Sequence, residues 1–164
     1  MNANLHEIKS QIYDKCSLEI SDFKNEAEGL DYDACQFQLD GKHIICRSSK
    51  ITSKKVGQFV TFWKRNTAGI TKPYSEAETI DFYVINVKDK DRFGQFVFPK
   101  YVLINKGIIS TDTKDGKRGF RVYPKWDIVQ SKQAEKTQKW QVDYFYEIDE
   151  HLSLSKVLEL YKTK

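Results

Sequence analysis

The sequence predicts an α+β fold: a single domain over residues 1–164, with a central mixed or antiparallel sheet of about five strands flanked by N-terminal and C-terminal helices. Apolar residues recur at helical spacing near both ends of the chain, and runs typical of strands lie between them. A chain of 164 residues has the size of one domain. Its composition is globular, and three prolines and eight glycines leave little material for linkers.

The first elements are a helix and a hairpin. Leu5, Ile8 and Ile12 recur at helical spacing, and the acidic stretch of residues 22–33 is expected to form a second short helix or a solvated loop. Cys35, Phe37 and Leu39 then alternate with polar residues before an Asp-Gly pair, and residues 43–47 return as the partner strand. That dipeptide favours the positive φ angles of a tight type I′ turn, so two antiparallel strands are predicted.

The middle of the chain continues the sheet. Residues 59–65 suit either a strand or a helix, whereas residues 79–87 are typical of a buried strand. The string DKDR is a turn, and residues 93–100 form the next strand. A short helix should follow and end at Gly107, which suits the left-handed position after a helix.

The last third is predicted to contain one strand and two helices. Residues 120–124 form the strand, after a turn in the string TKDGKRG. Ser131 is a good N-cap for a helix of about four turns over residues 132–148. A docked terminal helix follows from an apolar stripe at i, i+3, i+4 and i+7, made of Leu154, Val157, Leu158 and Tyr161.

The cellular setting is expected to be the cytoplasm. The N-terminus has no apolar signal region, and no stretch approaches the roughly 20 apolar residues of a membrane span. The three cysteines are an odd number without CxxC spacing, and each has apolar neighbours. We therefore expect buried reduced thiols at Cys16, Cys35 and Cys46 and no membrane partner.

Charge is distributed unevenly along the chain. Residues 1–40 carry three lysines and nine acids, whereas residues 41–75 carry eight basic residues and no acid. A solvated face normally mixes both signs, so an acid-free run of 35 residues favours an anionic partner. Nucleic acid and nucleotides are the candidate classes.

Motifs for common chemistries are absent from the sequence. It contains no glycine-rich phosphate loop, no GxSxG, no HExxH and no kinase motif. His6, His43 and His151 pair with no cysteine at a zinc spacing. We therefore expect no metal site and no cofactor.

The candidate ligand-binding residues form two groups. In the first, hydroxyl groups and aromatic rings alternate with cations, the contact set that phosphates and bases require. This group comprises Arg47, Lys50, Lys54, Lys55, Gln58, Trp63, Lys64 and Arg65. In the second, cations accompany a helix face of amides and an indole. It comprises Lys100, Arg121, Gln138, Trp140 and Gln141. The alternative interpretation is a solvated face over core aromatics.

Four strings carry a family resemblance. KITSKKVGQFVTFWKR, GQFVFPKYVLINKGIIS, RVYPKWD and QAEKTQKWQ, in this order, resemble the MepB family over about residues 25–148. One departure is Thr52-Ser53, where the family commonly has Thr-Pro. The resemblance implies a small bacterial protein, named for a gene beside a multidrug efflux pump and its regulator. It implies no reaction and no catalytic residue.

Two other functions remain open. Asp81 before a strand, a turn and GQFVFP is similar to a strand pair of some PD-(D/E)XK nuclease-like domains, which implies a metal-dependent phosphodiesterase or nucleotide hydrolase. Its magnesium site would use Asp81, Glu28 or Asp40, and Lys50, although the acid-x-Lys triplet is missing. The other function is a protein-interaction module whose basic face meets an acidic partner.

Overall fold

Four α-helices and eleven strands lie within residues 1–162, the part of the chain that the computed structural model describes. The helices are α1 (Ala3–Ile8), α2 (Lys100–Asn105), α3 (Lys132–Gln141) and α4 (Leu154–Lys162). The strands are β1 (Ile20–Asn25), β2 (Cys35–Leu39), β3 (Lys42–Ser48), β4 (Lys50–Ile51), β5 (Gln58–Thr61), β6 (Trp63–Arg65), β7 (Thr71–Pro73), β8 (Phe82–Asp89), β9 (Arg92–Pro99), β10 (Gly119–Val122) and β11 (Phe145–Glu147).

The main sheet has six strands in the order β1-β2-β3-β8-β9-β11. Only the β3–β8 pair is parallel, so the sheet is mixed. The chain between these two strands forms the β6–β7 hairpin and supplies β4 and β5, which make a three-stranded sheet with the later strand β10, in the order β10-β5-β4. The α+β architecture predicted from the sequence is thus confirmed, with one more strand in the main sheet than expected.

Each face of the main sheet covers its own hydrophobic core. On one face, α1 and α4 pack Leu5, Ile8 and Val157 against the sheet. On the other face, the small sheet packs Val60 and Phe120 against the sheet. Strand β8 serves both cores because its consecutive residues point to opposite faces, which explains its continuous apolar sequence.

Several predicted elements are confirmed. The 35–47 hairpin turns at Asp40 and Gly41, both with positive φ, and its strands pair in register. Strand β8 starts at Phe82, three residues later than predicted, and β9 follows a turn at Lys90. Helix α2 is followed by Gly107 in the left-handed region, as expected of a helix C-terminus.

The prediction of a short helix or a solvated loop was wrong for residues 22–25, which are strand, and is confirmed for residues 26–33, which form a loop. The segment contributes to the edge strand β1, which has an irregularity between Ser21 and Lys24, and to a 3-10 turn at Leu30–Tyr32. Edge strands often carry charged side chains, so the acidic composition hid the strand. The ambiguous stretch of residues 59–65 is likewise strand, divided between β5 and β6.

The helix predicted over residues 132–148 is shorter than expected. Its N-cap is Ser131, whose side chain accepts a hydrogen bond from the Ala134 N–H, but α3 ends at Gln141 and β11 follows. Phe145 lies in one core and Tyr146 in the other. Only a strand can place adjacent residues on opposite faces of a sheet, so tertiary packing overrode helix propensity here.

The three cysteines are free thiols. Cys35 and Cys46 are buried opposite each other in the β2–β3 ladder, whereas Cys16 is partly exposed. The predicted burial of the cysteines is therefore confirmed for Cys35 and Cys46 and is only partial for Cys16. Within residues 1–162, no helix combines the length and apolar character that a membrane span needs.

Candidate functional site

The acid-free run of residues 41–75 is not acid-free in space. Arg65 Nε lies 2.5 Å from Glu28 Oε1, and Lys50 Nζ lies 4.0 Å from Asp31 Oδ2. Lys64 forms an ion pair with Glu78. Acids from other segments therefore compensate much of the positive charge that the sequence pattern emphasised.

Arg47 is the most buried of these cations, with 4% of its surface exposed. It forms an ion pair with Oε2 of Glu26, an atom that lacks an aligned hydrogen bond, and it donates to the Cys46 carbonyl at 2.9 Å. Burial and the nearby Glu26 raise the pKa of Tyr74 to about 12. Arg47, Trp63, Lys64 and Arg65 line a cavity of about 340 Å³ together with acids and polar groups.

A larger cavity of about 620 Å³ lies between β10 and α3. Its charged lining consists of Lys55, Lys106, Lys117 and Arg121, with no carboxylate among the described residues that line it. A volume of this size is typical of small-molecule sites. Four cations around one concavity generate a positive potential that favours anions.

Local structure explains how these cations converge. Lys55 lies in the loop between β4 and β5, Lys106 is the C-cap of α2, and Lys117 precedes β10. The Arg121 guanidinium is anchored by the Thr52 hydroxyl and, at 3.5 Å, by the Val56 carbonyl. Four separate chain segments thus supply one electropositive surface.

Helix α3 forms the opposite wall of the cavity. Gln130, Ser131 and Gln133, at its N-terminus, line the cavity, and free backbone N–H groups at a helix N-terminus favour anions. The Trp140 indole also lines it, packed 5.4 Å from the Phe98 ring. Lys106 Nζ lies 5.2 Å from the Trp140 ring centroid, within cation–π distance.

All three predicted amide ligands form hydrogen bonds inside the protein. Gln58 accepts from the Ser49 hydroxyl at 2.8 Å and donates to the Lys88 carbonyl at 3.1 Å. Gln138 donates to two backbone carbonyls in the segment before α3. Gln141 accepts from the Tyr123 N–H at 2.8 Å and donates to the Arg121 carbonyl at 3.0 Å, which holds α3 against β10.

The other predicted ligand residues are dispersed. Lys100 donates to the Glu78 carbonyl at 2.5 Å, away from the cations of the larger cavity. Lys54 is exposed in the same loop as Lys55, but only Lys55 lines the cavity. Of the thirteen predicted residues, the larger cavity brings together Lys55, Arg121, Trp140 and Gln141. Lys106 was missed because nothing in its local sequence distinguishes it from a surface lysine.

The residues of the nuclease-like alternative do not form one group. Asp81 accepts from the His43 N–H at 2.7 Å, whereas Lys50 lies beyond Ser48, the other end of β3. His43 and Ser48 are five residue steps apart along the strand, a distance of about 17 Å. Asp40 accepts from the Glu19 N–H at 2.8 Å.

Within residues 1–162, no group of three or more His, Cys, Asp or Glu side chains is placed to hold a metal ion.

Comparison with known proteins places this chain in a family. The model of the MepB-like family matches residues 26–147, and a crystal structure of MepB superposes with a TM-score of 0.79. That structure is 35% identical, and the alignment covers 92% of this chain and 99% of that one.

A weaker neighbour is the structure of a bacterial homing endonuclease, at 20% identity and a TM-score of 0.42 over 80% of this chain and 76% of that one. Similarity at that level supports no functional argument. The comparison with curated proteins finds no match. The family match and the MepB structure together show that the chain belongs to the MepB-like family.

Proposed function

We propose that the chain binds a phosphate-bearing anion, a nucleotide or nucleic acid, in the larger cavity between β10 and α3. The observation that carries the proposal is the lining: Lys55, Lys106, Lys117 and Arg121 surround the cavity without a carboxylate among its described lining residues. A phosphate placed there would meet several cations at once, which is the contact pattern that provides affinity for nucleic acids.

The site also has two features beyond charge. The N-terminus of α3 offers backbone N–H donors, and Trp140 provides a flat apolar surface on the same wall. Phosphate with an attached flat group would therefore fit better than a small inorganic anion. The paired cations Arg47, Lys64 and Arg65 contribute less, because acidic neighbours already compensate them.

The test measures binding of a labelled single-stranded oligonucleotide and of inorganic polyphosphate as salt is raised. Four phosphate contacts predict a log–log salt slope of about −3 on single strands. Lys55→Glu combined with Lys117→Glu reverses two exposed lining charges, and we expect it to weaken binding of both probes at least about tenfold.

The matched control reverses two exposed lysines near the helices on the other side of the main sheet. Lys15→Glu with Lys156→Glu makes the same change in net charge away from the cavity. If both double variants weaken probe binding equally, the effect comes from net charge alone, and the proposed site is contradicted. Binding that changes neither with salt concentration nor in the cavity double variant would also contradict the proposed site.

A further inference from the structure

The outward face of the β10-β5-β4 sheet combines rings and cations in one row. The register places Phe59 opposite both Lys50 on β4 and Arg121 on β10. Directly paired residues of antiparallel strands project to the same face, so the three side chains form a cross-strand row. The next pair, Val60 and Phe120, is buried in the core, which shows that the row faces outward.

Two glycines allow aromatic rings to lie flat on this sheet. A Cβ atom at Gly119 would come within 2.6 Å of Phe59 Cζ, and one at Gly57 within 2.6 Å of Tyr123 Cε1. The rings therefore occupy the space that side chains would take at these positions. Phe59 and Tyr123 are both only half-buried, so part of each ring remains accessible.

Cations alternate with these rings. Arg121 follows Gly119 on the outward face of β10 and precedes Tyr123, and Lys50 lies 4.9 Å from the ring centroid of Tyr32 beside Phe59. The face is continuous with the larger cavity, because Arg121 and Tyr123 also line it.

We infer that this face is a stacking platform for single-stranded nucleic acid, an inference that rests on the proposed function and specifies its ligand. Bases stack on Phe59 and Tyr123, and the backbone phosphates reach Arg121 and the cavity cations. Rings alternating with cations bind single strands with little sequence preference, because every base has a stacking face.

The spacing favours an extended strand over a mononucleotide. Tyr123 directly follows β10 and comes two residues after Arg121, the partner of Phe59, so a continued register puts the two backbone positions about 7–8 Å apart. Stacked bases are separated by only about 3.4 Å along a strand, so the two rings suit two separated bases. A duplex keeps its bases stacked inside and offers the rings no base face.

The experiment compares three probes on the full chain: a labelled single-stranded oligonucleotide, the duplex of the same sequence, and inorganic polyphosphate of matched charge. We expect the single strand to bind at least about tenfold more tightly than either other probe. Duplex or polyphosphate binding as tight as the single strand overturns the platform, and it leaves the proposed anion site intact. Failure of all three probes to bind overturns both.

Two leucine variants separate stacking from charge. Phe59→Leu and Tyr123→Leu keep an apolar cover over Gly119 and Gly57 but lose the ring. Each should weaken single-strand binding about tenfold and change polyphosphate binding by less than about twofold. Phe59→Tyr should restore binding.

Phe23→Leu is the matched control, because Phe23 is a half-buried ring that packs against the other core. Unchanged single-strand binding in the Phe59 and Tyr123 variants, or equal losses on both probes, overturns the platform. Should a leucine variant fail to fold, the probe comparison on the unaltered chain decides the matter.

Discussion

Replacing Gln141 by leucine tests whether its side-chain amide is a structural clamp or a ligand contact. The Gln141 side chain is fully buried and bonds both the Tyr123 N–H and the Arg121 carbonyl. Leucine keeps the approximate shape but leaves these two backbone groups without partners. A buried polar group that loses its partner costs about 1–3 kcal/mol.

Two such penalties sum to about 2–6 kcal/mol, and we expect the loss of stability to lie in the lower part of that range. The two backbone groups lie beside a cavity, where water can partly replace the lost bonds, so we expect a loss of about 2–3 kcal/mol in the free energy of unfolding. In a chain of this size, that corresponds to a fall of roughly 4–12 °C in Tm.

Urea denaturation measures the effect, with a lower midpoint at unchanged m-value as the expected result. Gln133→Leu is the matched control, because Gln133 is exposed on the same helix and should change stability by less than about 0.5 kcal/mol. If Gln141→Leu leaves the midpoint unchanged and only weakens ligand binding, the clamp is refuted and the residue is a ligand contact.

Three further predictions concern stability. Glu26→Gln leaves Arg47 buried without its carboxylate and should cost about 3 kcal/mol in urea denaturation, whereas Glu28→Gln, in an exposed pair, should cost less than about 1 kcal/mol; equal effects would contradict the role of burial. Ser131→Ala removes the N-cap of α3 and should cost about 1 kcal/mol by the same assay, and an unchanged midpoint would contradict the cap. Burial raises the pKa of several tyrosines above the ordinary 10.0, among them Tyr83 and Tyr146. Their stabilising contribution is complete below pH 10.0 and is lost as pH rises through the higher folded values, so the tyrosinate absorbance of the buried tyrosines should appear together with the loss of circular dichroism; titration of all nine tyrosines near pH 10.0 in the folded chain would contradict this.

Local chemistry explains which parts of the fold were predictable. The Asp40-Gly41 turn, the buried strand β8 and the N-cap Ser131 depend on residues close together in sequence. Strand β11 was not predictable, because residues 142–148 resemble a continuation of α3. The two cores on opposite faces of the sheet require Phe145 and Tyr146 to point in opposite directions.

The candidate site was predictable only in part. Lys55, Arg121 and Trp140 belong to the basic and aromatic clusters that the sequence singled out, and all three line the larger cavity. Lys106 was not predicted, since its role comes from its place at the end of α2. The sequence also did not show that the amides of Gln58 and Gln138, both predicted ligand residues, form hydrogen bonds inside the protein.

The sequence by itself determined the fold class, the family resemblance and the presence of a large excess of basic residues in one segment. These follow from composition, periodicity and short motifs, which are local properties. Tertiary structure alone decided which cations face a shared cavity and which are paired. Residues 41–75 contain no acid. Three of their cations nevertheless form ion pairs with Glu26, Glu28 and Glu78, which belong to other segments. Electrostatic interactions depend on distance in space, and pairing of strands and helices brings together charges that are far apart along the chain.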